Sequence, residues 1–408
     1  MKIITVNGGK PLSGRIRVSG SKNAALPIIF ATLVTEGITT LHNVPDIGDV
    51  SVALELISGY GAELSRCGDT VTIDTRSLHP YIPPASLVSR IRASTYLIGS
   101  SLARFGNSEI QAYGGCSFAD RPIDLHILAA ECLGARSDGL CISAASLVGA
   151  PIYLPIPSVG ATINAMIMAS RAKGRTVIYN YAREPHVHAV ADFLSGAGAA
   201  VTFSDSAITI DGTSLHGSEY TVIGDMIEAG SYLSLGLTTF SDIYVTGFDP
   251  EHISSFIKAL HSVAEVVTDS DAISLLPLTS SSRFRVECLP YPRYPTDLGP
   301  LAAPIMARYS GGEITDRVFP TRFGYLRELS RLGITADVRF GGARIYPSIP
   351  HVGIADATDL RGGMALLVWA LAAHGRSEIH SADNILRGYS CLVENLRSLG
   401  ADIEIRDE

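Results

Sequence analysis

Six helical stretches, apolar on nearly every side, recur along this chain and constrain its fold more than any other feature. They cover residues 21–36, 92–105, 162–173, 228–239, 296–309 and 361–374. A helix with no polar face has no side to offer to water, so each of the six must be buried. Five of them run out at a glycine, namely Gly37, Gly106, Gly174, Gly311 and Gly375. Charge gathers at the N-terminal ends, as Lys22, Arg92, Glu228, Asp297 and Arg361. Only those ends are expected to reach a surface.

A second repeat interleaves with the first. A helix ends and leads into a strand at Gly61-Ala62, Gly134-Ala135, Gly198-Ala199, Val263-Ala264, Gly333-Ile334 and Gly400-Ala401, spaced 73, 64, 65, 70 and 67 residues apart. Glycine suits the left-handed residue that closes a helix before the chain turns away. The fourth and fifth copies depart from Gly-Ala, so the repeat is imperfect there. Six buried helices in two groups of three predict two similar α/β domains. A chain of 408 residues is in any case too long for one ordinary core.

Composition excludes other classes. A hydrophobic fraction of 46% with 18% charged residues describes a packed globular protein. A net charge of -8 without a basic block argues against nucleic acid as a partner. The opening Met1-Lys2-Ile3-Ile4-Thr5-Val6-Asn7 holds no signal-peptide apolar region. The most apolar stretch, 24–34, is too short to span a membrane and contains Pro27. Cysteines 67, 116, 132, 141, 288 and 391 form no CxxC pair and no metal-ligand spacing. They read as free thiols of a cytoplasmic protein. No metal and no cofactor are expected.

One segment stands out chemically: Gly114-Gly115-Cys116-Ser117-Phe118-Ala119-Asp120-Arg121, followed by Pro122-Ile123-Asp124-Leu125-His126. Two glycines let the backbone bend sharply before the cysteine. An arginine five residues on favours the thiolate or holds an anion against it. The other five cysteines read as structural.

This segment resembles the cysteine loop of the enolpyruvyl transferases that act on UDP-N-acetylglucosamine. The resemblance extends over the whole chain. It is carried by Ser21-Lys22-Asn23-Ala24, Arg92-Ala93-Ser94, Ser158-Val159-Gly160-Ala161-Thr162 and Ala182-Arg183-Glu184-Pro185. Pro295-Thr296-Asp297, Arg322-Phe323, Thr358-Asp359-Leu360-Arg361 and Arg387-Gly388-Tyr389 follow in family order. The related shikimate-pathway transferases lack the cysteine loop and fit less well. The resemblance implies a two-domain inside-out α/β barrel, with six βαβαββ repeats in two pseudo-threefold domains. Residues 22–223 would form one domain, and 1–21 with 224–408 the other. Helix N-termini would converge on a shared anion-binding cleft. The implied substrates are phosphoenolpyruvate and UDP-N-acetylglucosamine.

The resemblance also implies roles. Cys116 is the acid that protonates C3 of phosphoenolpyruvate or adds at C2. Asp297 is the base for the sugar hydroxyl, although a residue there is also suited to cap a helix. Lys22, Arg121 and Arg387 hold phosphate, while Arg92, Arg322 and Arg361 serve the carboxylate and domain closure. An arginine elsewhere would form a surface ion pair worth ~0–1 kcal/mol. Asn23 bonds the sugar. Arg121, Pro122, Ile123, Asp124 and Leu125 form the uridine site, and Ser158, Val159 and Gly160 lie near the diphosphate. Val318 and Asp359 complete the acceptor contacts. Ser158 could equally be a plain helix cap, and His126 a packed histidine rather than a ligand contact.

Several positions depart from the family pattern: Tyr113, Ile156, His186, Met226, Pro320, Thr321 and Leu386. Two basic residues are lost among them, at Ile156 and Met226. The candidate chemical residues are all retained. This pattern fits a working UDP-N-acetylglucosamine transferase, a transferase for another nucleotide or UDP-sugar acceptor, or a silent nucleotide-sugar-binding paralogue. Retained Cys116 and Asp297 argue against the last.

Overall fold

The computed structural model describes residues 2–110, 113–114, 122–269, 272–278 and 282–407. The chain forms two compact units, Met1–Ser19 with Gly224–Glu408, and Gly20–Ile223. Each has its own hydrophobic core.

The apolar helices are those cores. In the Gly20–Ile223 unit they are α1 (Lys22–Ala31), α2 (Leu97–Phe105) and α3 (Val159–Ala169). In the other unit they are α4 (Met226–Thr239), α5 (Gly299–Arg308) and α6 (Leu360–Ala372). Helices α4, α5 and α6 pack on one another, as α2 does on both α1 and α3. Burial is nearly complete: every residue of α4 from Met226 to Thr238, and of α6 from Leu360 to Leu371, is buried. The helix starting at 21 is shorter than its sequence suggests. It ends at Ala31 and passes through a 3-10 turn, Thr32–Val34, into a short strand.

The glycines at the helix ends do what their position predicts. Gly37, Gly106, Gly174, Gly311 and Gly375 all have positive φ, between 74° and 121°. The one apolar helix without a glycine, α4, ends on Phe240 in the same left-handed conformation, at φ 52°. A side chain there is strained. Its ring is half exposed and lies under the Arg308 guanidinium at 4.4 Å.

Sheets enclose the helices, which makes each unit an α/β barrel turned inside out. Five four-stranded sheets share one plan: a parallel pair followed by two antiparallel strands. Strand Phe284–Cys288 pairs in parallel with Gly312–Asp316, which pairs antiparallel with Gly342–Ile345, and that with Ala336–Arg339. The sheet built on Asn107–Glu109 has three strands among the described residues. Strand Lys2–Gly8 lies centrally, antiparallel to both Gly375–His380 and Asp402–Asp407.

The chain passes between units at Ser19–Gly20 and Ile223–Gly224, the first crossing two residues before the expected one. The Ser21 N–H donates to Ile223 O at 2.7 Å, and the Asp225 N–H to Ser19 O at 2.9 Å. Both crossings need glycine. A Cβ on Gly20 would sit 1.7 Å from Asn43 O, and one on Gly224 1.9 Å from Gly247 O.

Candidate active site

In the unit containing residues 224–408, the helix starts carry the charge. Asp225 caps α4, its Oδ1 accepting from the N–H groups of Ile227 (2.8 Å) and Glu228 (3.0 Å). Asp359 caps α6 in the same way, accepting from Arg361 and Gly362, each at 3.0 Å. These two helix ends are therefore occupied by carboxylates and are not the open anion sites expected from the helix dipole alone.

Asp297 behaves differently. The first turn at α5 is a 3-10 turn, Thr296–Leu298, preceded by Pro295, and no side chain caps it. The alternative reading of Asp297 as a helix cap is thus wrong. Its Oδ1 accepts from Arg322 Nη1 at 2.7 Å, and its Oδ2 lies 3.6 Å from Arg361 Nε. Arg322 also reaches within 3.7 Å of Asp359. A continuous row results, Arg361–Asp297–Arg322–Asp359.

Arg361 and Arg322 are 1% and 4% exposed, so Arg361 does not reach the surface as expected of a charged helix start. Glu228 is buried as well. The Arg361 guanidinium lies 5.2 Å from the Tyr389 ring. All three of its nitrogens are buried, and none has a hydrogen-bond partner of good geometry among the described residues, the Tyr389 hydroxyl being a polar neighbour that favours its charge. Burial pulls its pKa down, but Tyr389, Asp297 and Asp225 outweigh that and leave it raised. Arg322 is likewise raised, with burial opposed by Asp297 and Asp359. Both guanidiniums therefore stay charged. Buried, charged donors without acceptors are costly unless an anion supplies them.

Glu228 uses one oxygen. Its Oε2 accepts from the Ser19 N–H (3.1 Å) and hydroxyl (2.5 Å), while Oε1 is buried with no partner among the described residues. Burial pushes its pKa up to about 7, opposed by the Ser19 hydroxyl and assisted by the Asp225 charge.

Sequence reasoning missed Asp316. Its Oδ1 accepts from the N–H groups of Val318 and Phe319, both at 2.8 Å, and its Oδ2 from the Thr296 hydroxyl at 2.6 Å. It thereby fixes the turn holding Val318 to the turn holding Asp297. An aspartate ending a strand before a turn is the available signal. Arg387 is half-buried and closes the short helix Asp383–Leu386, directly before Gly388, which is pressed against Leu360.

In the Gly20–Ile223 unit, Lys22 is the first residue of α1 and lies 3.8 Å from Asp49, with Asn23 half-buried beside it. Arg92 opens the 3-10 turn Arg92–Tyr96. Its Nη2 donates to Pro122 O at 3.4 Å, and its guanidinium lies 5.0 Å from the Tyr113 ring. Pro122 and Asp124 are exposed, Ile123 is buried, and Leu125 is half-buried. Asp124 starts the helix Asp124–Cys132. Cys116 and Arg121 lie outside the described residues.

His126 is a packed histidine, 4% exposed. Its Nδ1 meets Asn164 Nδ2 at 2.5 Å. Asn164 on α3 also donates to Thr95 O (2.9 Å) and accepts from Gly99 N–H (2.9 Å). With an amide N–H facing Nδ1, the ring is neutral and carries its proton on Nε2. Burial, helped by the Arg92 charge, lowers its pKa to about 4. A Cβ on Gly160 would lie 2.8 Å from the ring, so His126 sets the position of the α3 start. Ser158 does cap α3, its hydroxyl accepting from Ala161 N–H at 3.4 Å. Ser158, Val159 and Gly160 are all half-exposed.

Of the departures, Met226 is absorbed into the core and His186 is buried, whereas Ile156 is 61% exposed. Among the described residues no group of side chains is arranged to hold a metal, and no helix is long and apolar enough to cross a membrane.

The sequence profile of the family described as EPSP synthase (3-phosphoshikimate 1-carboxyvinyltransferase) matches residues 6–396. The chain belongs to this family of enolpyruvyl transferases. Full-length relatives carry a different substrate in their names. "UDP-N-acetylglucosamine 1-carboxyvinyltransferase 3" of Caldanaerobacter subterraneus subsp. tengcongensis is 38% identical, over 99% of each chain. "UDP-N-acetylglucosamine 1-carboxyvinyltransferase 2" of Streptococcus thermophilus is 39% identical over 100% of each. Among solved structures, the enolpyruvyl transferase NikO from Streptomyces tendae superposes with a TM-score of 0.90 at 27% identity, covering 99% of each chain. EPSP synthase from Acinetobacter baumannii, at 19% identity, shares the fold with a TM-score of 0.74 over 100% of each chain.

Proposed function

We propose that the protein transfers the enolpyruvyl group of phosphoenolpyruvate to the 3-hydroxyl of UDP-N-acetylglucosamine and releases phosphate. This is the first committed step of peptidoglycan precursor synthesis, in the cytoplasm. The observation that carries the reading is the buried, charged Arg361 guanidinium, whose nitrogens find no well-formed hydrogen bond among the described residues, beside a carboxylate held by Arg322. Relatives bearing that activity in their names match over their whole length.

The chemistry needs an acid, a base and cations. Cys116 gives a proton to C3, which makes C2 electrophilic. Asp297 takes the hydroxyl proton as the oxygen bonds to C2. Arg322 and Arg361 orient that carboxylate and leave Arg361 donors for the substrate carboxylate. Loss of a C3 proton and cleavage of the C2–O bond then release phosphate, which Lys22, Arg121 and Arg387 hold. Ser158, Val159 and Gly160 offer backbone N–H groups to the diphosphate, and Pro122 to Leu125 receive the uridine. Asn23 bonds the sugar, and Val318 and Asp359 complete the acceptor contacts.

A second acceptor class is favoured by one observation. Ile156, close to the diphosphate turn, is exposed and uncharged, which suits an acceptor nucleotide with less phosphate. Phosphate release from phosphoenolpyruvate decides between them, measured with UDP-N-acetylglucosamine, other UDP-sugars and UMP. The highest kcat/KM is expected for UDP-N-acetylglucosamine. Preference for another acceptor supports the second class, and no release with any acceptor overturns both.

A further inference from the structure

A cleft of about 260 Å³ lies at the hairpin joining strands Ala336–Arg339 and Gly342–Ile345, lined by Thr315, Asp316, Arg317, Pro320, Arg339, Phe340 and Gly341. Phe340 stands at its edge, 83% exposed, the most exposed large hydrophobic side chain among the described residues. An aromatic ring left so open at a hairpin tip gains nothing from the core. Polar residues are the usual choice at such a tip.

The cleft is held rigidly. The Asp316 N–H donates to Gly341 O at 3.0 Å, and the Gly341 N–H donates to Pro320 O at 3.0 Å. The Asp316 carboxylate is turned to Thr296, Val318 and Phe319, from which it accepts three hydrogen bonds. Arg317 and Arg339 are exposed. Among the described residues Arg317 pairs with Glu287, its Nε 3.2 Å from the carboxylate, in an ion pair open to water. Such a pair is worth ~0–1 kcal/mol and yields to a better-placed anion.

We propose that this cleft is a binding subsite for a small aromatic anion, one planar ring bearing a phosphate or carboxylate. Phe340 supplies a stacking face, and the two guanidiniums supply planar donors for the anion. Ligand pockets that enclose a drug-sized molecule run from about 300 Å³ upward, so this cleft fits a single ring with its anionic group. The subsite uses neither Arg322, Asp297 nor Arg361 and does not depend on the reaction proposed above.

Phenyl phosphate tests it, with orthophosphate and phenol as the anion and the ring alone. Phe340→Trp keeps a stacking face and places a fluorescent reporter at the cleft, while the native Trp369 is fully buried. Phenyl phosphate should quench the reporter saturably and bind about tenfold or more tighter than either fragment. Adding Arg317→Ala and Arg339→Ala should weaken it about tenfold or more while phosphoenolpyruvate turnover is retained. Circular dichroism confirms that each variant is folded. Absence of saturable quenching, or equal affinity after both arginines are removed, overturns the assignment.

Discussion

His126 makes the site's packing measurable through pH. The folded protein holds the ring neutral, with a pKa lowered to about 4 by burial and by Arg92, against ~6.5 in an unfolded chain. Between those values the unfolded chain binds a proton that the native state refuses. Unfolding is therefore favoured as pH falls from the unfolded pKa towards the folded one, and the stability is fully present above ~6.5. At pH 5 the unfolded ring is almost wholly protonated and the native ring hardly at all. Linkage then gives a loss of about 2 kcal/mol relative to pH 7 from this one group. His126→Gln removes the titration and keeps a side chain able to accept from Asn164. Urea unfolding followed by circular dichroism should show the parent losing about 2 kcal/mol more than the variant between pH 7 and pH 5. All other titrating groups are common to both proteins and cancel. Parallel pH dependences, within about 0.5 kcal/mol, would mean that the ring is protonated in the folded state or not buried against Asn164.

Arg322→Met should leave Asp297 without its shortest partner and lower kcat/KM for phosphoenolpyruvate by about 2–4 kcal/mol, discounted because Asp297 is partly exposed; steady-state phosphate release measures it, and unchanged kinetics removes Arg322 from the site. Glu228 has the opposite pH sign to His126, because its folded pKa is raised to about 7. Stability is lost as pH rises through that range, so Glu228→Gln should stabilise the protein at pH 8 relative to pH 5, and a thermal shift of the reverse sign refutes it. Fosfomycin, an epoxide that mimics phosphoenolpyruvate, should alkylate Cys116 and none of the other five cysteines. Cys116→Asp should block labelling and retain some turnover, and mass spectrometry showing the adduct elsewhere defeats the assignment.

The helices and their ends were legible because burial on all sides and a left-handed end residue both leave marks in sequence. Phe240 was not, since nothing in its identity announces φ 52°. The Val263 turn shows the converse: the missing glycine correctly marks a place where no positive φ is found among the described residues. At the site, Asp297, Arg322 and Arg361 could be picked as chemical residues, but not their mutual pairing. That pairing depends on three segments brought together by the packing of α5 on α6. Charged helix starts suggested exposure; Arg361 and Glu228 are buried because their partners, Asp297 and Ser19, come from elsewhere in the chain. Asp316 carries the mark of a turn residue, but residue types do not reveal that it ties the Val318 turn to Thr296.

Strand Lys2–Gly8 is made long before the strands it pairs with, Gly375–His380 and Asp402–Asp407. Ile4 pairs with Ile379 on one side and Ile405 on the other. At roughly 5–20 residues per second, a ribosome needs on the order of 20–75 s to bring those partners out. Until then the strand has two open edges and four side chains destined for the interior, Ile3, Ile4, Thr5 and Val6. The segment Gly20–Ile223 emerges whole in the meantime and has all of its own sheet partners. Synthesis therefore completes the Gly20–Ile223 unit first and leaves the other waiting on its early strand, a sticky edge that a chaperone or the nascent neighbour must keep from pairing elsewhere.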